Sequence, residues 1–515
     1  MDRQPIGLTI PWFKLALAGI FILSLVLRFW RLGQFNTLVF DEVYYPVFAN
    51  RYLIGEPVYN AHPPLSQLII AVGMWIGSHL PFGQDTANAL TGSLRTTFSY
   101  RWFNALTGSF IPVVVGLLAY QLTSRRSYGA IAAFLMALDG LFLVESRYGL
   151  NNIYLVFFGL LGHLCLLLAL RHPRWSPPPP RHFRDYRQGK FRLIRIISDR
   201  VTAYFRDPPP LQRRHKLTLA GIFLGLAAAI KWNGLGFLLG IYLLWIIAWI
   251  LRLSYNNRPL TPSKPQSNPL PNLTQLNPLH LFSYFALIPS LTYAATWVPH
   301  LIMNPNPGFW QMQQEILTFH QRIGSGSAVH PYCSPWYSWL IMGRPVAYFY
   351  HTARNPQEMI PAYPPLPSGA GKIIYDVHAM GNPLLWWLST VAIILFALLI
   401  LQRFLSGNSR TLLFTPATGL SLYLVCNYAA NLLPWIPVTR CLFLYHYMAA
   451  LVFAILAIAW ILDVWLQSSY YVYRQGAIAI LLAILLAFLF WLPLYIGLPL
   501  SPQGYQMRMW FSSWI

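Results

Sequence analysis

Charge is what this chain most lacks. Asp, Glu, Lys and Arg together make up 10% of its 515 residues, where a soluble domain carries about a quarter. That scarcity excludes the ordinary water-facing globule, and with 56% apolar residues the natural solvent is a bilayer. Acidic residues are scarcer still, 14 against 36 basic ones, so any carboxylate placed away from solvent stands out. Cysteine is limited to Cys165, Cys333, Cys426 and Cys441, with no CxxC and no metal-type spacing. Cysteine is therefore read as supplying no function. A P-loop, a GxGxxG opening a helix after a strand and an HExxH are all missing, which speaks against nucleotide use and against a bound metal.

What is present begins with long apolar runs. Stretches of about 20 residues, enough to cross the hydrocarbon, fall near 11–30, 102–122, 127–145, 150–170, 216–232 and 233–251. Others follow near 280–299, 383–402, 411–430, 441–462 and 475–497. The expected fold is thus an all-α polytopic membrane protein of about eleven spans, a single integral domain over residues 1–515, its first span uncleaved. A weaker run at 65–80 reads as an interfacial helix. Aromatics reach 16%, including 20 Trp and 30 Tyr, as suits side chains at the headgroup boundary.

The net charge of +22 is concentrated. Thirteen Lys or Arg lie between Arg171 and Lys216, a segment interrupted by proline runs that reads as a cytoplasmic loop setting orientation rather than as a nucleic-acid site. Arg125-Arg126, Arg252 to Lys264, and Arg403 with Arg410 fall on the same side, together with the N-terminus. The opposite, outer side then receives the 31–100 loop, the 300–382 loop and the C-terminus. Arg28 and Arg31 oppose the rule and require partners, for which the nearby Asp41-Glu42 pair is the obvious source. Helical spacing of apolar residues from Phe40 to Ile54 predicts a surface-lying helix ended by Gly55 and then His62-Pro63-Pro64.

Topology also filters the chemistry. The ionisable groups at the outer boundary are Arg28, Asp41, Glu42, His62, Arg101, Glu145, Arg147, Lys231 and Arg440, with Asp139 a little deeper. Several cations and one or two bases at an interface suit a lipid-linked phosphate, whose head they neutralise while its tail stays in hydrocarbon. A sugar attached through such a phosphate already has a good leaving group. Transfer then needs mainly a carboxylate base for the acceptor hydroxyl, and Asp41 or Glu42 can serve. The bland readings are a helix-capping acidic pair, a turn histidine and a snorkelling lysine. Glu145 and Arg147, two apart on a helix, do not face each other and find partners elsewhere. A transporter or flippase of anionic lipid-linked substrates is the other class, disfavoured because the charges gather at one face and no repeat is evident.

Several segments together resemble the protein O-mannosyltransferase family. Phe40-Asp41-Glu42 with His62-Pro63-Pro64-Leu65 looks like its first-loop signature. Leu138-Asp139-Gly140 with Glu145-Ser146-Arg147 resembles its third span, and Lys231-Trp232 the end of its fifth. His330-Pro331-Tyr332, Ser334-Pro335-Trp336, Ser338-Trp339 and Gly381-Asn382-Pro383 resemble its large outer loop, and Arg440 with Tyr445-His446-Tyr447 completes the set. The resemblance implies a GT-C fold and inverting transfer of mannose from a polyprenyl phosphate to Ser/Thr of exported or secreted proteins, including acceptors met during translocation. The family is held to work without a bound metal or other cofactor. It makes Asp41 the base and places Glu42, His62, Arg147 and Arg440 around the substrates, where the outer-boundary position of Arg101 and Lys231 adds both to the expected substrate-binding set. A lipid or glycan acceptor is the alternative within the class. Two positions depart from the pattern: Gln67 stands where a lysine is usual, and Asn152 where an acid is common. The 300–382 loop is too short for the β-trefoil of eukaryotic members, which implies the bacterial type in a plasma membrane.

Overall fold

The computed structural model describes residues 11–59, 61–171, 211–254, 270–355, 358, 373–406 and 416–515. Most of the basic 171–216 segment lies outside them. The long helices are α1 (Trp12–Phe29), α4 (Thr97–Thr123), α5 (Arg126–Ala137), α6 (Gly140–Arg147), α7 (Asn152–Leu170), α8 (Leu211–Ile230) and α9 (Leu235–Ser254). After them come α10 (Pro278–Met303), α12 (Pro383–Leu405), α13 (Pro416–Leu432), α14 (Met448–Leu466) and α15 (Tyr471–Ile496). Two shorter helices, α2 (Tyr45–Ile54) and α3 (Leu65–Gly77), fill the first loop, and α11 (Phe309–Arg322) lies in the second.

Among the described residues eight helices are long and apolar enough to cross a membrane, or nine if the bent pair α5 and α6 counts as one span. Two further expected spans, near 216–232 and 411–430, coincide with α8 and α13, helices of 20 and 17 residues outside those eight. The third expected span is not one straight helix. It bends by 60° at Leu138-Asp139, because Asp139 caps a new helix, its Oδ1 accepting from the Phe142 N–H at 3.0 Å. An Asp-Gly pair inside an apolar run starts a helix here instead of continuing one.

The bundle is layered by burial. Every residue of α14 from Met448 to Ala459 is buried, whereas few residues of α1 and α10 are. A helix apolar all round and wrapped by others is the core; its half-covered neighbours face lipid. Tyr128 of α5 donates to the Leu456 carbonyl of α14 at 3.0 Å, and His163 of α7 bridges Tyr423 of α13 and the Phe237 carbonyl of α9 at 2.7 and 3.0 Å. Gly236 and Gly240 let α9 lie directly on Asn431 and Asn427 of α13, since an added Cβ would overlap both side chains. At the end of α4 away from Arg101, Arg125 is ion-paired with Asp463 at 2.6 Å.

The loops add what helical periodicity did not show. The first contains a short antiparallel ladder of β1 (Ala87–Asn88) and β2 (Arg95–Thr96), and the second a longer hairpin of β3 (Val346–Ala353) and β4 (Ile373–Ala379). The ladder of that hairpin is irregular between Ala347 and Phe349, which leaves Tyr348 as the bulged residue. Gly381-Asn382-Pro383 starts α12, Asn382 capping it while its amide donates to the Ile484 carbonyl of α15 at 2.9 Å.

The reading of cysteine is overturned. Cys333 and Cys441 form a disulfide across 108 positions, joining the second loop to the segment that leads into α14.

Candidate active site

The acidic pair sits in a single turn of 3-10 helix, Phe40–Val43, not in the helix that follows. Phe40 enters it with φ of +52°, a left-handed conformation costly for an aromatic residue. Its ring is held from several sides: Tyr348 stacks on it at 4.3 Å, and His330, Phe443 and Tyr445 meet it edge-on at 6.1–6.3 Å. Those rings come from the second loop and the segment before α14, so distant parts of the chain aim the residue next to Phe40.

The structure then divides the pair. Glu42 is fully buried and saturated: Oε1 accepts from Arg101 Nε at 2.9 Å and from the Gly149 N–H at 2.8 Å, and Oε2 from Arg101 Nη2 at 2.7 Å and the Val39 N–H at 2.9 Å. Arg101 gives its other donors to the carbonyls of Leu32, Phe35 and Thr37 at 2.8–3.1 Å. All five guanidinium N–H groups are thereby engaged. These two residues, expected around the substrate, are instead the internal frame of the first loop. They fix the loop rather than contact ligand.

Arg147 is likewise 3% exposed and donates to the carbonyls of Leu27, Arg28 and Trp30 at 2.8–3.1 Å, closing the end of α1 onto α6. It is placed away from the cavity. Arg28 does not pair with Asp41 or Glu42; it donates to Ser24 Oγ at 2.6 Å, and the acid whose charge reaches it is Asp139 across the bend. Arg31 is exposed on a residue with φ of +43°.

Asp41 points the other way. It is half-buried, no side chain among the described residues hydrogen-bonds its carboxylate, and Lys231 is its charged partner. Burial pushes the carboxyl up to about 6, with the nearby Lys231 ammonium working against that shift. Around Lys231 opens a cavity of about 600 Å³. One end is polar, formed by His62, Lys231, His320, Arg440 and His446; the walls are apolar, with Leu235, Leu238 and Leu239 from α9 and Leu317 from α11. His62, Lys231 and Arg440 are thus brought together as expected. Burial first, then the Lys231 charge, holds His62 well below the usual imidazole range, and His320 is pushed down to about 4 by burial and then by Arg440. Both rings stay neutral at pH 7, lying 5.1 Å apart, so the charge at this end comes from Lys231 and Arg440.

Two lining residues were missed in the sequence. His320 falls four positions after Ile316 and eight after Met312, the two buried positions of α11, and that stripe could have pointed to it. His446, quoted only as part of a motif, is buried against Trp435 and Trp339 at 4.6 and 6.0 Å. Arg440 is half-buried, donates to the Cys441 carbonyl at 3.1 Å and adjoins the disulfide. A cationic end on an apolar groove, with an unengaged carboxylate beside it, can hold an anionic head with a long tail and take a proton from a third group.

Comparison with known proteins gives the family and the fold. Two models of one family match, "Dolichyl-phosphate-mannose-protein mannosyltransferase" over residues 18–177 and "C-terminal four TMM region of protein-O-mannosyltransferase" over 305–514. The polyprenol-phosphate-mannose–protein mannosyltransferase of Corynebacterium glutamicum is 26% identical, over 96% of this chain and 92% of its own. That of Mycobacterium tuberculosis is 24% identical over 100% and 94%. The solved Pmt1-Pmt2 protein O-mannosyltransferase complex of S. cerevisiae bound to the sugar donor superposes with a TM-score of 0.61 at 14% identity, covering 98% of this chain and 93% of that one. The shared fold is GT-C.

Proposed function

The chain belongs to the protein O-mannosyltransferase family, and on that premise we propose that it moves mannose from a polyprenyl phosphate to Ser or Thr hydroxyls of exported proteins, inverting the anomeric carbon. One observation carries the reading: a half-buried Asp41 whose carboxylate no side chain among the described residues hydrogen-bonds, and whose charged partner Lys231 lines the cationic end of an apolar-walled cavity. The polyprenyl tail lies along the leucines of α9, and the phosphate meets Lys231 and Arg440. Asp41 takes the proton of the acceptor hydroxyl while its oxygen attacks the anomeric carbon from the face opposite the phosphate. The bond from carbon to phosphate oxygen breaks, and the two cations hold the charge that develops there. Side chains supply that neutralisation, so the scheme gives no role to a metal or another cofactor.

The site faces outward from a plasma membrane, with the N-terminus on the cytoplasmic side and the C-terminus outside. Arg125, Arg252 and Arg403, at the opposite helix ends, support that orientation by the positive-inside rule. The disulfide beside Arg440 supports it independently, because such bonds persist on the oxidising side of a membrane.

The test is transfer of labelled mannose from a polyprenyl-phosphate donor in membranes containing this chain, with mass spectrometry of exported proteins. Hexose on Ser/Thr peptides, absent when the chain is absent, is the expected result. Label appearing only in lipid or free glycan would move the acceptor to the alternative within the class. Passage of the donor across sealed vesicles with no covalent product would replace the enzyme by a flippase.

A further inference from the structure

Lys231 is the charged partner of Asp41, yet a lysine is a point charge on a flexible stem and does not aim itself. Its ammonium donates to Asn152 Oδ1 at 3.0 Å. Asn152 in turn donates through Nδ2 to Glu145 Oε2 at 3.1 Å, and the other oxygen of Glu145 accepts from the Tyr348 hydroxyl. Three hydrogen bonds thus run from the outer hairpin to the cavity, through side chains that are each no more than 8% exposed. The line has a direction. Tyr348 is the bulged residue of β3, and a bulge re-aims a side chain that a regular strand would send elsewhere.

The chemistry of each member fits that role. Glu145 uses both oxygens on neutral donors, so it reaches the lysine through Asn152 and through space without an ion-pair contact. Asn152 is neutral and takes one of the three ammonium protons, leaving the positive charge and two donors for an anion in the cavity. Tyr348 also stacks on Phe40, the residue before Asp41, so one ring touches the supports of both the base and the cation.

We propose that Tyr348, Glu145 and Asn152 are positioning residues of the transfer: through their hydrogen bonds the seated β3–β4 hairpin aims the Lys231 ammonium at the donor phosphate. The proposal rests on the reading of Lys231 as a phosphate-binding group. It makes the β3–β4 hairpin part of donor binding although Tyr348 lines no wall of the cavity.

The experiment measures binding of undecaprenyl phosphate to the full-length protein in detergent, by quenching of tryptophan fluorescence, so that no turnover is needed. Tyr348→Phe keeps the stack on Phe40 and removes only the hydroxyl; it should weaken binding about five- to tenfold, as should Asn152→Ala from the middle of the line. Lys231→Met should weaken it about thirtyfold. In the Lys231→Met background, Tyr348→Phe should have no further effect, since a residue acting through the lysine has nothing left to act on. A merely structural hydroxyl would cost the same factor in both backgrounds, and that additivity would overturn the proposal. So would wild-type affinity in Tyr348→Phe and Asn152→Ala, with Lys231→Met impaired. Unchanged binding in Lys231→Met would instead remove the phosphate reading itself, and the proposal with it. If one of the two line variants does not accumulate, the other answers the same question.

Discussion

Replacing Asp41 by Asn removes the proposed base and little else. The amide has nearly the same shape, and no side-chain hydrogen-bond partner of the carboxylate among the described residues is left stranded. A positioned general base contributes about 10²- to 10⁴-fold, so turnover at saturating donor should fall about a thousandfold, or about 4 kcal/mol of barrier. The neighbouring acids cannot take over. Glu42 has four donors on its two oxygens, and Glu145 is occupied by Tyr348 and Asn152. Donor KM should stay level or drop, because the substitution deletes a negative charge beside Lys231. The wild-type pH profile follows from the same residue. With its pKa raised to about 6, Asp41 is protonated and inactive below that pH. On the acid side kcat/KM should therefore climb about tenfold per unit and level off above about 6. The measurement is the initial rate of labelled mannose incorporation into an acceptor peptide, with donor concentration and pH varied. Membranes carrying Asp41→Asn that retain more than about a tenth of wild-type turnover, or a wild-type rate that falls as pH rises through about 6, would refute the assignment.

Other substitutions should separate frame from site. Glu42→Gln leaves the Arg101 charge buried without its counter-ion, at a cost of about 3–5 kcal/mol; the folded fraction on size-exclusion of detergent extracts should collapse while that of Asp41→Asn does not. Arg440→Gln should leave folding intact and lower kcat/KM for the donor about ten- to a hundredfold, as expected for one charge on a departing phosphate. Cys333→Ser with Cys441→Ser should lower stability by about 2–4 kcal/mol, read as a drop in melting temperature that reductant reproduces in the wild type.

The spans were legible because their signal is local: a run long enough to cross hydrocarbon needs no partner to be recognised. Asp41, His62, Lys231 and Arg440 were legible for a related reason, since topology puts charged residues at span ends on one face. Arg101 and Glu42 carry the same signal and have another fate. Whether an arginine faces a cavity or closes on a carboxylate 59 positions away depends on the three carbonyls of the turn around it, which only folding brings there. Tyr348 was out of reach altogether. Its direction comes from a bulge, and the strand was unmarked in a chain read by helical periodicity. The break at Asp139 had a signal, an Asp-Gly pair, that the length of the apolar run concealed.

The bond between Cys333 and Cys441 also sets an order of events. It cannot close until both residues have been made and have reached an oxidising space, and α12 and α13 lie between them in the chain. Asp41 and Lys231 are made long before that, but Arg440 and the rings of Phe443 and Tyr445 that hold Phe40 come only with the second cysteine's segment, so a chain still being inserted has both residues without their full setting. On the proposed mechanism, the chain therefore has no complete site to turn over until the segment between its second cysteine and α14 has been laid down.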